Sequence, residues 1–353
     1  MSKIALVTDL HWGARNDNPK IIEFQSKFFR EVFFPYIDEH KITDIVDLGD
    51  TFDRRKYINF VTLAHCQEEF FNPIQEREIN LHALVGNHDS FYRNTLNINS
   101  MHLLARHYPN MKIYSEPTEV AFGNTSVVML PWICKENETE TYRLCRETKA
   151  QVVFSHLELA GYQMHQGHAI DHGMDDNWLQ HFDLVCTGHY HTRSRHNNIN
   201  YLGCPYEMTW ADFDDQKGFH VFDTETRELT FIPNPNSIFH KVWYDDESND
   251  YTVGDLDFSM YKDCYIKVIV KCKSNPFLFD MWIEALEKVG VIHVQVVEDH
   301  LNLDMEDDDA IVEEAEDTIT ILNKYVEHVS TDTDRAELSS LMRELYHEAI
   351  SIL

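Results

Sequence analysis

Five short polar clusters hold the residues of this 353-residue chain best suited to chemistry, and each directly follows an apolar run. IALVT leads into Asp9-Leu-His11, IVDL into Gly49-Asp50-Thr-Phe-Asp53, and LHALV into Gly86-Asn87-His88-Asp89. VVF leads into Ser155-His156, and LVCT into Gly188-His189-Tyr-His191. Together they offer carboxylate, amide and imidazole but no thiolate, a donor set for hard or borderline cations such as Mn²⁺, Fe or Zn²⁺. Singly, an Asp-x-His or a Gly-His-x-His is background in a chain with 21 histidines. Their common placement after strand-like runs separates them from chance. His156 has the nearest rivals, in His165, His168, His172 and His196, and its strand-end position selects it. The glycines beside Asp50, Asn87 and His189 are expected to allow sharp turns out of the strands.

Such clusters need a rigid frame. The runs at 4–7, 45–48, 81–85, 127–130, 152–154, 184–186, 199–202 and 219–222 read as buried strands, with amphipathic helical stretches at 20–38 and 60–76 between the early ones. That pattern predicts a layered α/β fold with covered sheets, whose strand ends converge on one site. NPNS at 234–237 is turn chemistry and a plausible boundary. Beyond it, 264–271, a helix over about 276–288 and 291–297 make a small βαβ-like unit.

Composition narrows the class. Apolar residues make up 43%, and no apolar run approaches the roughly 18 residues that a membrane span requires. Met1-Ser-Lys leads straight into a strand-like run, and the seven cysteines form no CxxC pair. A reduced, cytoplasmic setting is therefore expected, with neither secretion nor membrane insertion. Thirty basic against sixty acidic side chains give a net charge of −30. Residues 1–240 carry 21 − 33 = −12 of it and residues 241–353 carry 9 − 27 = −18, including eleven acids without a Lys or Arg from Glu298 to Asp317. A passive, generally basic nucleic-acid module is excluded; an enzyme with a local metal site is not.

The ordered set D-x-H, G-D-x-x-D, G-N-H-D, a lone His and G-H-x-H resembles the calcineurin-like metallophosphoesterase superfamily, over about residues 3–232. The resemblance implies a β-sandwich flanked by helices. It also implies one metal on Asp9, His11, Asp50 and His191, and a second on Asp50, Asn87, His156 and His189. Finer details, GDTFDRRK, VGNHDSFYRN, LPWICKEN, HLELAGY, TGHYHT and YLGCPYEMTW, are most similar to the SbcD-type nuclease subunits of double-strand-break repair complexes, in their phage recombination form. Ser155 and Cys204 depart from that pattern, and neither is a ligand position. This likeness implies a nuclease domain over 1–236, a small capping, DNA-recognising domain over 237–300, an acidic linker with a helical segment over 301–333 and a C-terminal helix over 334–353. It further implies two divalent ions, Mn²⁺ by preference, DNA as substrate, a homodimer, and an SbcC-type coiled-coil ABC ATPase as partner. If phage-encoded, the chain would work in the host cytoplasm.

In that chemistry two cations activate water and clamp the phosphate oxygens. His88 would protonate the leaving alkoxide, with Asp53 to orient and charge it. Arg54, Arg55, Lys56, Arg193 and Arg195 flank the clusters and are candidate phosphate contacts, an ordinary solvated surface being the alternative. In the tail, Leu338, Leu341, Met342 and Leu345 fall at helical spacing, a stripe suited to docking on the ATPase or to packing back on its own domain. The alternatives in function are a phosphomonoesterase on the same metals and a catalytically silent assembly scaffold.

Overall fold

The computed structural model describes residues 3–165, 168–169, 173–251 and 256–298, with Leu338 alone beyond them. Among the described residues seventeen strands follow in chain order: β1 Lys3–Val7, β2 Asp44–Asp47, β3 Asn80–Leu84, β4 Met111–Tyr114, β5 Thr118–Phe122, β6 Thr125–Leu130, β7 Val152–His156, β8 Gln163–His165, β9 His168–Ala169, β10 Leu184–Gly188, β11 Ser194–His196, β12 Ile199–Tyr201, β13 Gly218–Asp223, β14 Leu229–Pro233, β15 Phe239–Asp245, β16 Tyr265–Cys272 and β17 His293–Glu298. Two six-stranded mixed sheets form the main body, in the orders β14-β13-β1-β2-β3-β4 and β11-β12-β10-β7-β6-β5.

Alternation along each strand builds the layers. Ile4 and Leu6 point inward, joining Val46, Leu48, Val127, Met129, Val152, Phe154 and Cys186 in the core between the sheets. Ala5 and Val7 point outward to the helices, where Phe28, Phe29, Phe33, Phe70 and Phe71 close the largest core. Both faces of these strands are buried, which is why their sequences are continuous apolar runs. A third layer on the far side places Cys145 of the helix Glu138–Glu147 with Val153 and Val185 of the second sheet.

The helices over 19–40 and 60–76 share a defect with one cause. Each runs α-helical, widens into a π turn at Phe29–Phe33 or Gln67–Phe71, and resumes with Pro35 or Pro73 as its second residue. A proline there has no N–H and its ring crowds the carbonyl four residues back, so the turn before it opens. Asn18 and Asn59 cap the two N-termini with side-chain oxygens.

Residues 1–300 form one compact unit and 301–353 another. Within the first, β15, β16 and β17 make a parallel three-stranded sheet, β16 and β17 joined by the helix Pro276–Lys288. Its own core gathers Tyr244, Ile266, Val268, Val270, Phe279, Trp282 and Leu286. Ile238 and Phe239 reach instead into the main-body core. Glu207 receives both of their N–H groups, at 2.7 and 3.0 Å. The acidic stretch after Glu298 and the tail positions Leu341, Met342 and Leu345 lie outside the described residues.

Candidate metal centre

Seven side chains from the five clusters meet beyond the carboxyl ends of β1, β2, β3, β7 and β10. His11 Nε2 and His191 Nε2 face each other at 3.0 Å, and Asp9 Oδ1 lies 3.8 Å from both. On the other side, Asn87 Oδ1 is 2.9 Å from His156 Nε2 and 3.0 Å from His189 Nδ1. Asp50 Oδ2 stands between the halves, 3.9 Å from His11 Nε2 and 3.2 Å from His156 Nε2. Asp9, His11, Asp50, Asn87 and His156 are all less than a tenth exposed.

The backbone there is strained. Asp9, His11, Asp50 and His189 all have positive φ, at 53°, 42°, 58° and 90°. Non-glycine residues occupy that region at a cost of order 1–3 kcal/mol each, and only where the surroundings over-determine them. The expectation for the glycines is thereby corrected. Only Gly49 turns with positive φ, 110°. Gly86 and Gly188 supply room instead, because a Cβ on Gly86 would sit 2.1 Å from Asp50 Oδ1 and one on Gly188 1.9 Å from Thr8 Oγ1.

Residues to which the sequence reading gave no role hold the strained turns. Asp89 is buried and accepts from the N–H groups of Asp50, Phe52 and Gly86 at 2.9, 3.2 and 3.0 Å, and from Ser100 Oγ at 3.0 Å. Gln25 donates to the carbonyls of Leu10 and His11 from the inner face of its helix, and Thr8 Oγ1 donates to Asp9 Oδ2 at 2.6 Å. Trp132 stacks obliquely against His189, with ring centres 5.0 Å apart. Asp89 was visible in GNHD; a lone Gln inside an apolar helical stripe was the only sign of Gln25.

Burial and mutual charge set the protonation of the cluster. Desolvation pushes the Asp50 carboxyl up, but His156, His88 and His11 outweigh it and hold it well below the usual range. Desolvation pushes His11 and His156 down, and Asp53 for the first and Asp50 for the second bring each to about 9. His189 is driven well below its ordinary value by burial and by His156. His11 and His156 thus hold their protons against the neighbouring carboxylates, while burial pushes the Asp9 carboxyl itself up. A divalent ion would displace those protons, as binding to imidazole requires. The donor set fits such an ion: His189 Nε2 is buried with no hydrogen-bond partner, and two ring nitrogens facing at 3.0 Å can share only one proton between them. Oxygen and nitrogen donors without sulfur suit Mn²⁺, Fe or Zn²⁺.

His88 stands beside this cluster. Its main-chain N–H donates to Asp50 Oδ1 at 2.7 Å, and its Nδ1 lies 2.6 Å from the main-chain carbonyl of Asp53, an arrangement that puts a proton on Nδ1 and leaves Nε2 for another partner. The Asp53 carboxylate does not reach His88 in this role. Its Oδ1 sits 3.4 Å from His11 Nδ1, so Asp53 orients His88 through its carbonyl and His11 through its side chain.

The flanking cations are less free than their sequence positions suggest. Arg54 donates to Asn16 and Tyr57 and pairs with Asp17 at 3.3 Å, clamping the left-handed run Arg15-Asn16-Asp17. Arg193 lies over the Phe231 ring at 3.7 Å. Arg195 is exposed and donates to the carbonyl of Asn197, Lys56 is exposed, and Arg55 is partly buried. Phe91 and Tyr92, beside the GNHD turn, are 40% and 48% exposed.

The protein named exonuclease subunit 1, from Enterobacteria phage T4, is 31% identical over 350 residues, 98% of this chain and 99% of its own. The SbcD component of the SbcCD nuclease from Staphylococcus epidermidis is 24% identical over 271 residues, 65% of this chain and 69% of its own. A dimetal phosphatase from Danio rerio is a structural neighbour at 11% identity and TM-score 0.43, covering 66% of this chain and 95% of that one. The calcineurin-like phosphoesterase family model matches residues 2–193, which includes all seven clustered side chains and His88. This chain therefore belongs to the calcineurin-like phosphoesterase family, and it is a phosphoester hydrolase.

Proposed function

We propose that this protein is a metal-dependent DNA nuclease, an exonuclease on duplex ends and an endonuclease on single strands, and the nuclease subunit of a double-strand-break repair complex. The convergence of Asp9, His11, Asp50, Asn87, His156, His189 and His191, with His88 fixed alongside, carries the reading. Two divalent ions, Mn²⁺ by preference, would be held with Asp50 shared; when bound, they supply an activated water and neutralise charge on the phosphate. The protein's own groups do the rest. Asn87 offers a neutral oxygen between two imidazoles, so the half built on it carries less negative charge. His88, with one proton of its imidazolium form held on Nδ1 by the Asp53 carbonyl, would give the other, on Nε2, to the departing alkoxide and so end as the neutral Nδ1–H ring. Asp53 and Asp89 keep the turns rigid.

The two relatives, each named as part of a larger nuclease, support a partnership, and the SbcC-type coiled-coil ATPase is the partner we assign. At −30 the chain is a poor DNA binder by itself, so the ATPase would supply much of the grip. Tyr57, Phe60 and Val61, 61%, 87% and 60% exposed, are an apolar surface that a second copy would cover.

EDTA-stripped protein should be inactive, and Mn²⁺ should restore DNA cleavage better than Mg²⁺, since imidazole and amide suit Mn²⁺ while Mg²⁺ prefers oxygen and keeps its waters. Cleavage undiminished in excess EDTA would refute the metal requirement. Turnover of p-nitrophenyl phosphate far faster than DNA would replace the nuclease reading with a phosphomonoesterase. Failure to co-purify with the ATPase would remove the partner assignment.

A further inference from the structure

Behind the Gly188–His191 turn lies an ammonium group that the hydrolytic reading leaves unused. Lys217 is only 5% exposed, and each of its three protons has a fixed acceptor. Asp212 Oδ1 is 2.5 Å from Nζ, Asp215 Oδ2 is at 2.8 Å, and the carbonyl of His191 is at 2.9 Å. Asp212 is itself anchored, its other oxygen accepting from the N–H groups of Met208 and Thr209 at 2.9 Å each. Two carboxylates already balance the lysine, so charge alone does not call for the third contact. That contact falls on the main chain of a residue in the metal cluster.

The same carbonyl is fixed from a second direction. Cys204 N–H donates to it at 3.1 Å, and Gly203, at φ 70°, gives the chain room to pass, since a Cβ there would lie 2.8 Å from that oxygen. Two residues earlier His189 has φ 90°. The turn thus brings two imidazoles to the centre, one of them on strained backbone, and strain of this kind persists only where surroundings enforce it. A buried ion pair is a weak source of stability but a strong directional constraint when every donor is satisfied.

We propose that Lys217 is a positioning residue for the metal centre: held by Asp212 and Asp215, it fixes the His191 carbonyl and so sets the His191 ring against His11. The proposal rests on reading His191 as a metal ligand, and the test separates the two. Full-length wild type, His191→Ala, Lys217→Met and Lys217→Arg would be stripped of metal and titrated with Mn²⁺ alone by calorimetry, with electron paramagnetic resonance of the bound Mn²⁺ as a second signal. His191→Ala should lose one Mn²⁺; if it binds two at wild-type affinity, the ligand reading itself fails. Given that loss, Lys217→Met should bind Mn²⁺ about 10- to 100-fold more weakly, the usual effect of removing an outer support of a metal ligand. Its kcat on DNA should fall with KM nearly unchanged, and Lys217→Arg should recover part of the affinity. If Lys217→Met does not fold, Lys217→Met/Asp212→Asn, which removes the more deeply buried of the two carboxylates left unpaired, carries the same expectation. Wild-type Mn²⁺ affinity in either folded variant overturns the proposal. Failure of both to fold also overturns it, because the lysine would then serve folding rather than the centre.

Discussion

The strand-end turns of the two large sheets and the small β15–β17 sheet are built by opposite rules. The turns and the strand ends that lead into them bury Asp9, Asp47, Asp50 and Asp89, the first and third of these among histidines, on a backbone with four left-handed cluster residues. The middle strand of the small sheet, β16, alternates regularly: Ile266, Val268 and Val270 face Phe279 and Trp282 of its helix, while Tyr265, Lys267 and Ile269 lie on the other side. Its one left-handed non-glycine residue among those described, Asp263, sits in a loop, and the irregularity of its sheet is confined to a register shift between Tyr244 and Asp245 at the end of β15. Local preference and global fold agree in the small sheet and conflict in the turns, and such conflict is expected where a site is built. Asp47 illustrates the cost, because burial and the nearby Asp89 drive its carboxyl up to about 8.

That contrast is tested hardest at Asp50. Asp50→Asn removes the charge shared between the two halves of the centre and should cost DNA cleavage on the order of 10³ or more, since a bound metal supplies several kcal/mol of transition-state stabilisation. Bound Mn²⁺ per chain should fall with the rate. Retention of both ions at full affinity would mean that Asp50 is not shared.

His88→Ser should separate from it. With Asp50 and the imidazoles intact, both ions should stay, while the single-turnover rate drops on the order of 10² to 10⁴, the worth of a positioned proton donor. Equal losses of metal and rate would make His88 a structural residue of the cluster instead.

The same contrast explains what could be read from sequence. Strands buried on both faces, such as β1, β2, β3, β7 and β10, announce themselves as apolar runs, and the helix Pro276–Lys288 by its period. The edge strands β4, β5, β11 and β14 escaped, because they meet solvent and bury at most one residue each, so no apolar run marks them. β15 escaped for another reason: FHKVWYD shows no clean alternation, and Lys241 lies over the Phe213 ring, a contact no local pattern announces. The clustered side chains were legible because motif order survives folding. The partner of Asp53 was not, since the choice between His11 and His88 depends on how two turns meet in space. Arg54 misled for the same reason, its charge being spent on Asp17 thirty-seven residues earlier in the chain.

The joint between the two regions gives the smallest effect and the one whose sign is easiest to get wrong. Glu207, 4% exposed, joins them by accepting the N–H groups of Ile238 and Phe239. Burial pushes its carboxyl up to about 7, more than those two N–H groups pull it down. An unfolded chain releases that proton near the ordinary value of about 4.3. Between roughly pH 4.3 and 7 the folded protein therefore keeps a proton that the unfolded chain has lost. The stability that Glu207 contributes is fully present below this window and is lost as pH rises through it, up to about 4 kcal/mol at 1.36 kcal/mol per unit. Glu207→Gln keeps an oxygen for both N–H groups and cannot ionise. At pH 5, where only the first part of this window has been crossed, it should exceed wild type by only about 1 kcal/mol. It should be the more stable protein at pH 8. Urea unfolding of both proteins at the two pH values measures the difference directly, with every other carboxyl group common to both. A wild-type minus variant difference that does not change with pH would show that Glu207 is ionised throughout, and that the two regions are joined by a buried anion rather than by a neutral acid.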